Sequence, residues 1–236
     1  MTLHQTLTLF SPLDFAAIAL LLGGAWLIGW RIENPPANRP SVSILMAAFR
    51  RDWMKHMVLR EPRVFDAQLI GSLRQGTTFF ASATMIAIGG GLAAAGNTEQ
   101  VAGLVTDLTQ GNAPTIVWEI KILVVLVLLA NAFLKFVWAH RLFGYCAVLM
   151  AAVPNDCTSP LAYPRATQAA DISITAARSF NRAMRSTYFA LAAMAWLLGP
   201  AALAIAAALT VAMLYRREFH SHSRKIMLRV PPDTDS

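Results

Sequence analysis

Six polar residues set in apolar surroundings are the ones whose types and spacing could do chemistry: Asp66, Arg74, Asn131, Lys135, Arg141 and Arg185. Arg74, Arg141 and Arg185 each stand where an apolar run meets a polar segment, and Lys135 lies one or two turns inside such an end. A cation at that depth pairs with an anion, faces other helices, or snorkels to the headgroups. Two arrangements follow. If the arginines line one inward site, their shared positive field demands a compensating anion, whether Asp66, a lipid phosphate or a solute. Asn131 would then add a neutral hydrogen-bonding group beside Lys135. If they are anchors, they splay outward at headgroup level, each with its own water and phosphate. At least one of the three is expected to be an anchor, with Arg185 the inward-facing member.

Other chemistry finds little support. The chain has no H-E-x-x-H, no Walker loop, no G-x-S-x-G and no C-x-x-C. Gly89-Gly90-Gly91 is not a phosphate loop, because no Lys-Ser/Thr follows. His220-Ser-His222 has too few ligands for a metal and basic neighbours that would repel one. His140 reads as an interfacial histidine. Cys146 and Cys157 give no disulfide framework. No catalytic residue, metal or cofactor is expected.

These residues sit on a chain of 236 residues that is 56% hydrophobic and only 14% charged. Soluble domains carry about 25% charged residues, so the deficit points to an integral membrane protein. The formal net charge is +7. The arginines flank apolar segments, so orientation and anionic lipid headgroups explain that charge better than nucleic acid does.

The expected architecture is all-α: one integral membrane helical bundle over 1–236, with about four membrane segments and an amphipathic interfacial helix. Its organising stretch runs from Ile116 to Val153, with no polar side chain between Ile122 and Ala130. A helix needs about 20 such residues to cross a ~30 Å hydrocarbon core. The segments are about 13–31, 76–95, 116–140 extending helically to 153, and 186–215. Asp14 can cap the first of these. The second follows a polar lead-in at 66–75 and repeats Ala83, Ala87, Gly91 and Ala95 every four residues, a stripe that lets helices pack closely. On the third, Asn131, Lys135, Trp138 and Cys146 fall roughly on one face. A loop at 154–171 leads to a helix-competent stretch, 167–185. The last segment holds Gly199-Pro200 at its centre, read as the kink of a single span, with a fold-back as the alternative. Residues 41–60 pair an apolar face (Val42, Leu45, Met46, Phe49, Trp53, Met57) with Arg50, Arg51, Lys55 and Arg60. They read as a helix in the headgroup plane, or as one packed on a cap. The tail at 230–236 is expected to be mobile.

The positive-inside rule puts 31–76, with eight basic residues, and 154–185 in the cytoplasm, and puts 1–11 and 96–115 outside. A simple last span would then carry the basic tail outside, in conflict with Arg216, Arg217, Arg224, Lys225 and Arg229.

Three strings, SLRQGTTFFASATMIAIGG (72–90), AHRLFGY (139–145) and AMRSTYFALAAMAWLLGP (183–200), together resemble the DUF-599 family of bacterial and plant membrane proteins. Leu73-Arg74, Arg141, and Arg185 with Tyr188, Phe189, Trp196, Gly199 and Pro200 carry the likeness, which covers about residues 15 to 215. The resemblance implies four membrane segments and no assigned activity or catalytic residue. The expected function is a non-catalytic accessory or scaffold bundle of the inner (plasma) membrane. It would meet anionic headgroups and a membrane-protein partner or a second copy of itself. The alternative is a small transporter or channel with an Arg/Lys-lined cytoplasmic site. A membrane enzyme ranks third.

Overall fold

The computed structural model describes residues 8–98, 103 and 114–229. The tail 230–236 and most of the 96–115 loop lie outside the described residues. The described chain is helical and has no strand: α1 (Pro12–Glu33), α2 (Val42–Val58), α3 (Val64–Gly96), α4 (Thr115–Ala151), α5 (Ala162–Met194), a 3-10 turn (Ala195–Leu198), α6 (Pro200–Phe219) and α7 (His222–Met227). Four helices are long and apolar enough to cross a membrane: α1, α3, α4 and the stretch formed by α6 and α7.

Local chemistry sets the helix starts. Ser11, not Asp14, is the N-cap of α1, and Asp14 closes a capping box by accepting from the Ser11 backbone N–H. α5 begins at Ala162, well before the expected helix start at 167, and Pro164 lies in its first turn. Proline is tolerated there because the first four N–H groups of a helix have no intrahelical partner.

The last apolar run is not a kinked span. Trp196 Nε1 donates to Asp14 Oδ1 (2.7 Å) at the start of α1, and Arg31 at the end of α1 lies over the Phe219 ring, 5.3 Å from its centroid. The chain therefore reverses between α5 and α6, and α6 runs parallel to α1. Gly199 makes the reversal with φ 123°, a backbone region that side chains other than glycine rarely adopt, and Pro200 is the first residue of α6. The reversal returns the basic tail to the end that carries the other basic segments: Arg224 Nε donates to Pro40 O, and Glu218 accepts from Ser43 N–H at the start of α2. The last third of α5 thus lies in the same layer as the four long helices.

Two cores result. One, at the Trp196 end and through the middle of the layer, joins Leu21, Ile28, Phe189, Trp196, Leu203 and Leu214 from α1, α5, the 3-10 turn and α6. The other, at the basic end, joins Met54, Met57, Ile70, Phe143, Cys146 and Met150 to a row of alanines on α5. Between them Phe80, Phe136 and Phe180 tie α3, α4 and α5 with ring centroids 5.5–5.6 Å apart. The expected lipid-facing stripe of α2 is divided. Met57 is buried in the second core with Trp53 packed against it, while Met46 and Phe49 stay exposed. α2 runs antiparallel to α5, with Arg50 Nη1 donating to Ser173 Oγ (2.8 Å), so its buried face meets protein and not headgroups.

The small-residue stripe on α3 also needs correction. Ala83 and Ala87 are exposed, whereas Thr77, Ala81, Thr84, Ile88, Gly91 and Ala95 form the inward line. A four-residue step overshoots the 3.6-residue turn, so a strict every-fourth row drifts off any face, while alternating steps of four and three stay on one. Gly91 and Ala95 belong to both rows. A Cβ at Gly91 would lie 2.6 Å from Leu126 Cδ2 of α4. Gly91→Leu is expected to lower stability in detergent by about 1–3 kcal/mol through overpacking, with Ala83→Leu near neutral. Equal melting of the two variants would show that neither face meets α4.

Candidate functional site

Arg178, Arg182 and Arg185 stand at steps of four and three on α5, and so form one stripe. α1 ends at the same level and presents Glu33 to it. Glu33 Oε1 accepts from Arg182 Nε (2.9 Å) and from Arg185 Nη2, and Oε2 accepts from Arg182 Nη2. The carboxylate therefore bridges two turns of α5, with a two-point contact to Arg182. Arg185 is the more buried arginine, with 12% of its side chain exposed against 47% for Arg182.

Beside this pair, α4 contributes Asn131 and Lys135, one turn apart. Both donate to the Ser186 hydroxyl oxygen, at 2.9 Å from Nδ2 and 3.4 Å from Nζ. Glu33, Lys135, Arg182, Arg185 and Ser186 border a cavity of about 540 Å³ between α1, α4 and α5. A second chamber of about 420 Å³ lies on the other side of Glu33 and Arg185, between α2, α3 and α5. Arg50, Arg178, Arg217 and Glu218 line it together with that pair. Burial pushes the Arg50 guanidinium below its ordinary pKa. Arg50 has Ser173 and the Phe143 ring (6.0 Å to the centroid) as neighbours and no carboxylate within ion-pair distance among the described residues. Arg178 makes no ion pair or hydrogen bond through its side chain there.

The carboxylates nearby are already engaged. Glu218 accepts from Ser43 N–H (3.0 Å) and Ser43 Oγ (3.2 Å) at the N-terminus of α2, where negative charge is favoured. At the far end of α2, Asp66 is fully buried and its Oδ1 accepts from Trp53 Nε1 (2.6 Å) and from Arg60 Nη1, while Oδ2 has no partner.

Of the six expected site residues, Asn131, Lys135 and Arg185 are brought together. Arg74 and Arg141 are exposed and do not join them, and Arg74 borders a separate cavity with Arg63 and Asn155. Asp66 serves the α2–α3 junction. The face proposed for α4 also divides: Cys146 is buried against Ala169 O, while Trp138 is 48% exposed. His140 Nδ1 pairs with Thr78 Oγ1 at 3.1 Å. Sequence reading passed over Glu33, Ser186, Arg50 and Glu218 as site members. The arginine stripe on α5 was a usable signal for Glu33, since two cations one turn apart at the edge of a membrane layer need a carboxylate.

Among the described residues no group of three or more His, Cys, Asp or Glu side chains is placed to hold a metal. His220 packs on Arg39 and Tyr215 instead.

Long apolar helices bundled with charged clusters at their ends define a multi-pass α-helical membrane protein. Residues 16–223 match the family described as "Protein of unknown function, DUF599", and the chain belongs to it. No curated protein and no solved structure matched the chain.

Proposed function

We propose that the protein is a non-catalytic accessory bundle of the inner membrane, with its basic end in the cytoplasm, and that this end holds an anion. One observation carries the reading. The inward carboxylates near the chamber, Glu33 and Glu218, are committed to Arg182, Arg185 and the start of α2, while Arg50 and Arg178 face the same chamber with no carboxylate of their own. A general acid or base needs a group free to exchange a proton with a substrate. An anion site needs surplus donors, and surplus donors are what the chamber presents.

The test is thermal unfolding in neutral detergent with sodium phosphate against sodium chloride at equal ionic strength. Phosphate is expected to raise the midpoint by about 5–11 °C, since a ligand at ~100 Kd adds about 2.7 kcal/mol and each kcal/mol moves a chain of this size by about 2–4 °C. The Arg50→Gln/Arg178→Gln pair should abolish the difference. An equal phosphate shift in wild type and variant would refute the site.

A small transporter is the second reading. It rests on the Glu33–Arg185 pair lying between the two cavities, where its movement would join them. Saturable phosphate flux into proteoliposomes would favour it over the accessory role.

A further inference from the structure

The chamber is walled unevenly. Arg50 from α2 and Arg178 and Arg185 from α5 give it charge, while Leu73, Phe143, Ile174 and Phe180 give it an apolar wall. A site for a fully hydrated inorganic anion does not need that apolar wall, and water held against it would gain nothing. α2 and α3 are pinned together at the end away from the membrane layer by Trp53 and Arg60 on Asp66. From there they run towards the layer, α2 back to Val42 and α3 on to Thr77, and the chamber lies between these nearer portions. Gly76 stands on the α3 side, and a Cβ built on it meets nothing within 4 Å. The wall there is open.

Building on the anion reading above, we propose that the chamber is a site for an anionic membrane lipid. Its phosphate sits on Arg50 and Arg178, and the first part of its acyl chain lies on Leu73, Phe143 and Phe180. The volume of about 420 Å³ falls in the range of small-molecule sites, ~300–1,000 Å³. The rest of the chain stays in the bilayer, alongside the membrane-spanning part of α3. The charge is complementary: the lining arginines are in excess over Glu33 and Glu218. Forked guanidinium donors suit a phosphate diester better than an ammonium does. Arg50 is held in position by Ser173 before the lipid arrives, which reduces the ordering loss on binding.

Native mass spectrometry of the purified chain tests this, with phosphatidylglycerol or phosphatidylcholine added to neutral detergent. Wild type is expected to retain one phosphatidylglycerol per chain, at least tenfold over phosphatidylcholine. Gly76→Phe, which plugs the open wall from an exposed position on α3, should lower that retention about tenfold while leaving the phosphate-induced thermal shift in place. Ala47→Phe does the same from the α2 wall and guards against a folding defect in the first variant. Arg178→Gln should lower both readouts. If phosphate still shifts the melting midpoint but both plugged variants hold phosphatidylglycerol as wild type does, the lipid site is refuted and the anion site stands. If neither phosphate nor phosphatidylglycerol binds wild type, both are refuted. Equal retention of the two lipids also overturns the proposal, because the arginines would then have no part in it.

Discussion

Glu33→Gln is expected to be among the most damaging single substitutions in the molecule, lowering stability by about 3 kcal/mol. Glutamine keeps the size and one acceptor oxygen but removes the charge that both Arg182 and Arg185 face. Lys135 lies in the same cavity, so three cations would share a partly buried space without a carboxylate. Arg182 can turn to solvent, since about half of its side chain is exposed, but Arg185 cannot. The loss should therefore reside in the Glu33–Arg185 coupling. In a double-mutant cycle, Arg185→Gln should be much less harmful in the Glu33→Gln background than in wild type. A single-variant effect under about 0.5 kcal/mol would mean that the pair behaves as a surface ion pair.

The second large effect is all-or-none. With Cys157 replaced by serine and Cys146 buried, single cysteines can be introduced and treated with a membrane-impermeant thiol reagent from outside the cell. Ala37→Cys and Ser223→Cys should both be protected, and Asn97→Cys should react. The loop after α1 and the tail after α6 lie at one end of the bundle, where Arg224 meets Pro40, and Asn97 ends α3 at the other. By the positive-inside rule, the eight basic residues between 31 and 76 predict that the first end is cytoplasmic, as proposed above. Labelling of Ser223→Cys from outside would contradict the reversal at Gly199.

What could be read from the sequence depended on how strongly each element announces itself. α4 was legible almost to the residue, because a long run of Leu, Val and Ile has no competing interpretation. Asn131, Lys135 and Arg185 were legible as site residues because polar groups within such runs need partners. The first half of α5 was less visible. Its buried face is Ala166, Ala169, Ala170 and Ala176, and alanine gives a weak apolar period. The reversal was hidden for a different reason. Residues 186–215 form one apolar run, and hydropathy does not register direction. The contradictory basic tail was the clue, and Gly199 resolves it with a positive φ. Glu33 sat beside a proline-rich loop, where a carboxylate ordinarily faces solvent, so its partners 149 and 152 residues away had no local signature.

The tight turn at Gly199 also bears on how the chain enters the bilayer during synthesis. Only the end of α5 from Ser186 and the 3-10 turn after it, Ala195–Leu198, are apolar, about 20 Å of helix at ~1.5 Å per residue and less than a segment needs to partition alone. It carries Arg182 and Arg185 at its leading end and is followed at once by α6. Such a segment is expected to go in as one arm of a hairpin, delivered against helices already present. α1 has by then brought Glu33 to neutralise the arginines, and α4 has brought Asn131 and Lys135 to meet Ser186. The residence of α5 in the membrane is therefore conferred by its neighbours, and a change to Glu33 should be felt first in biogenesis, as failure of the last hairpin to dock.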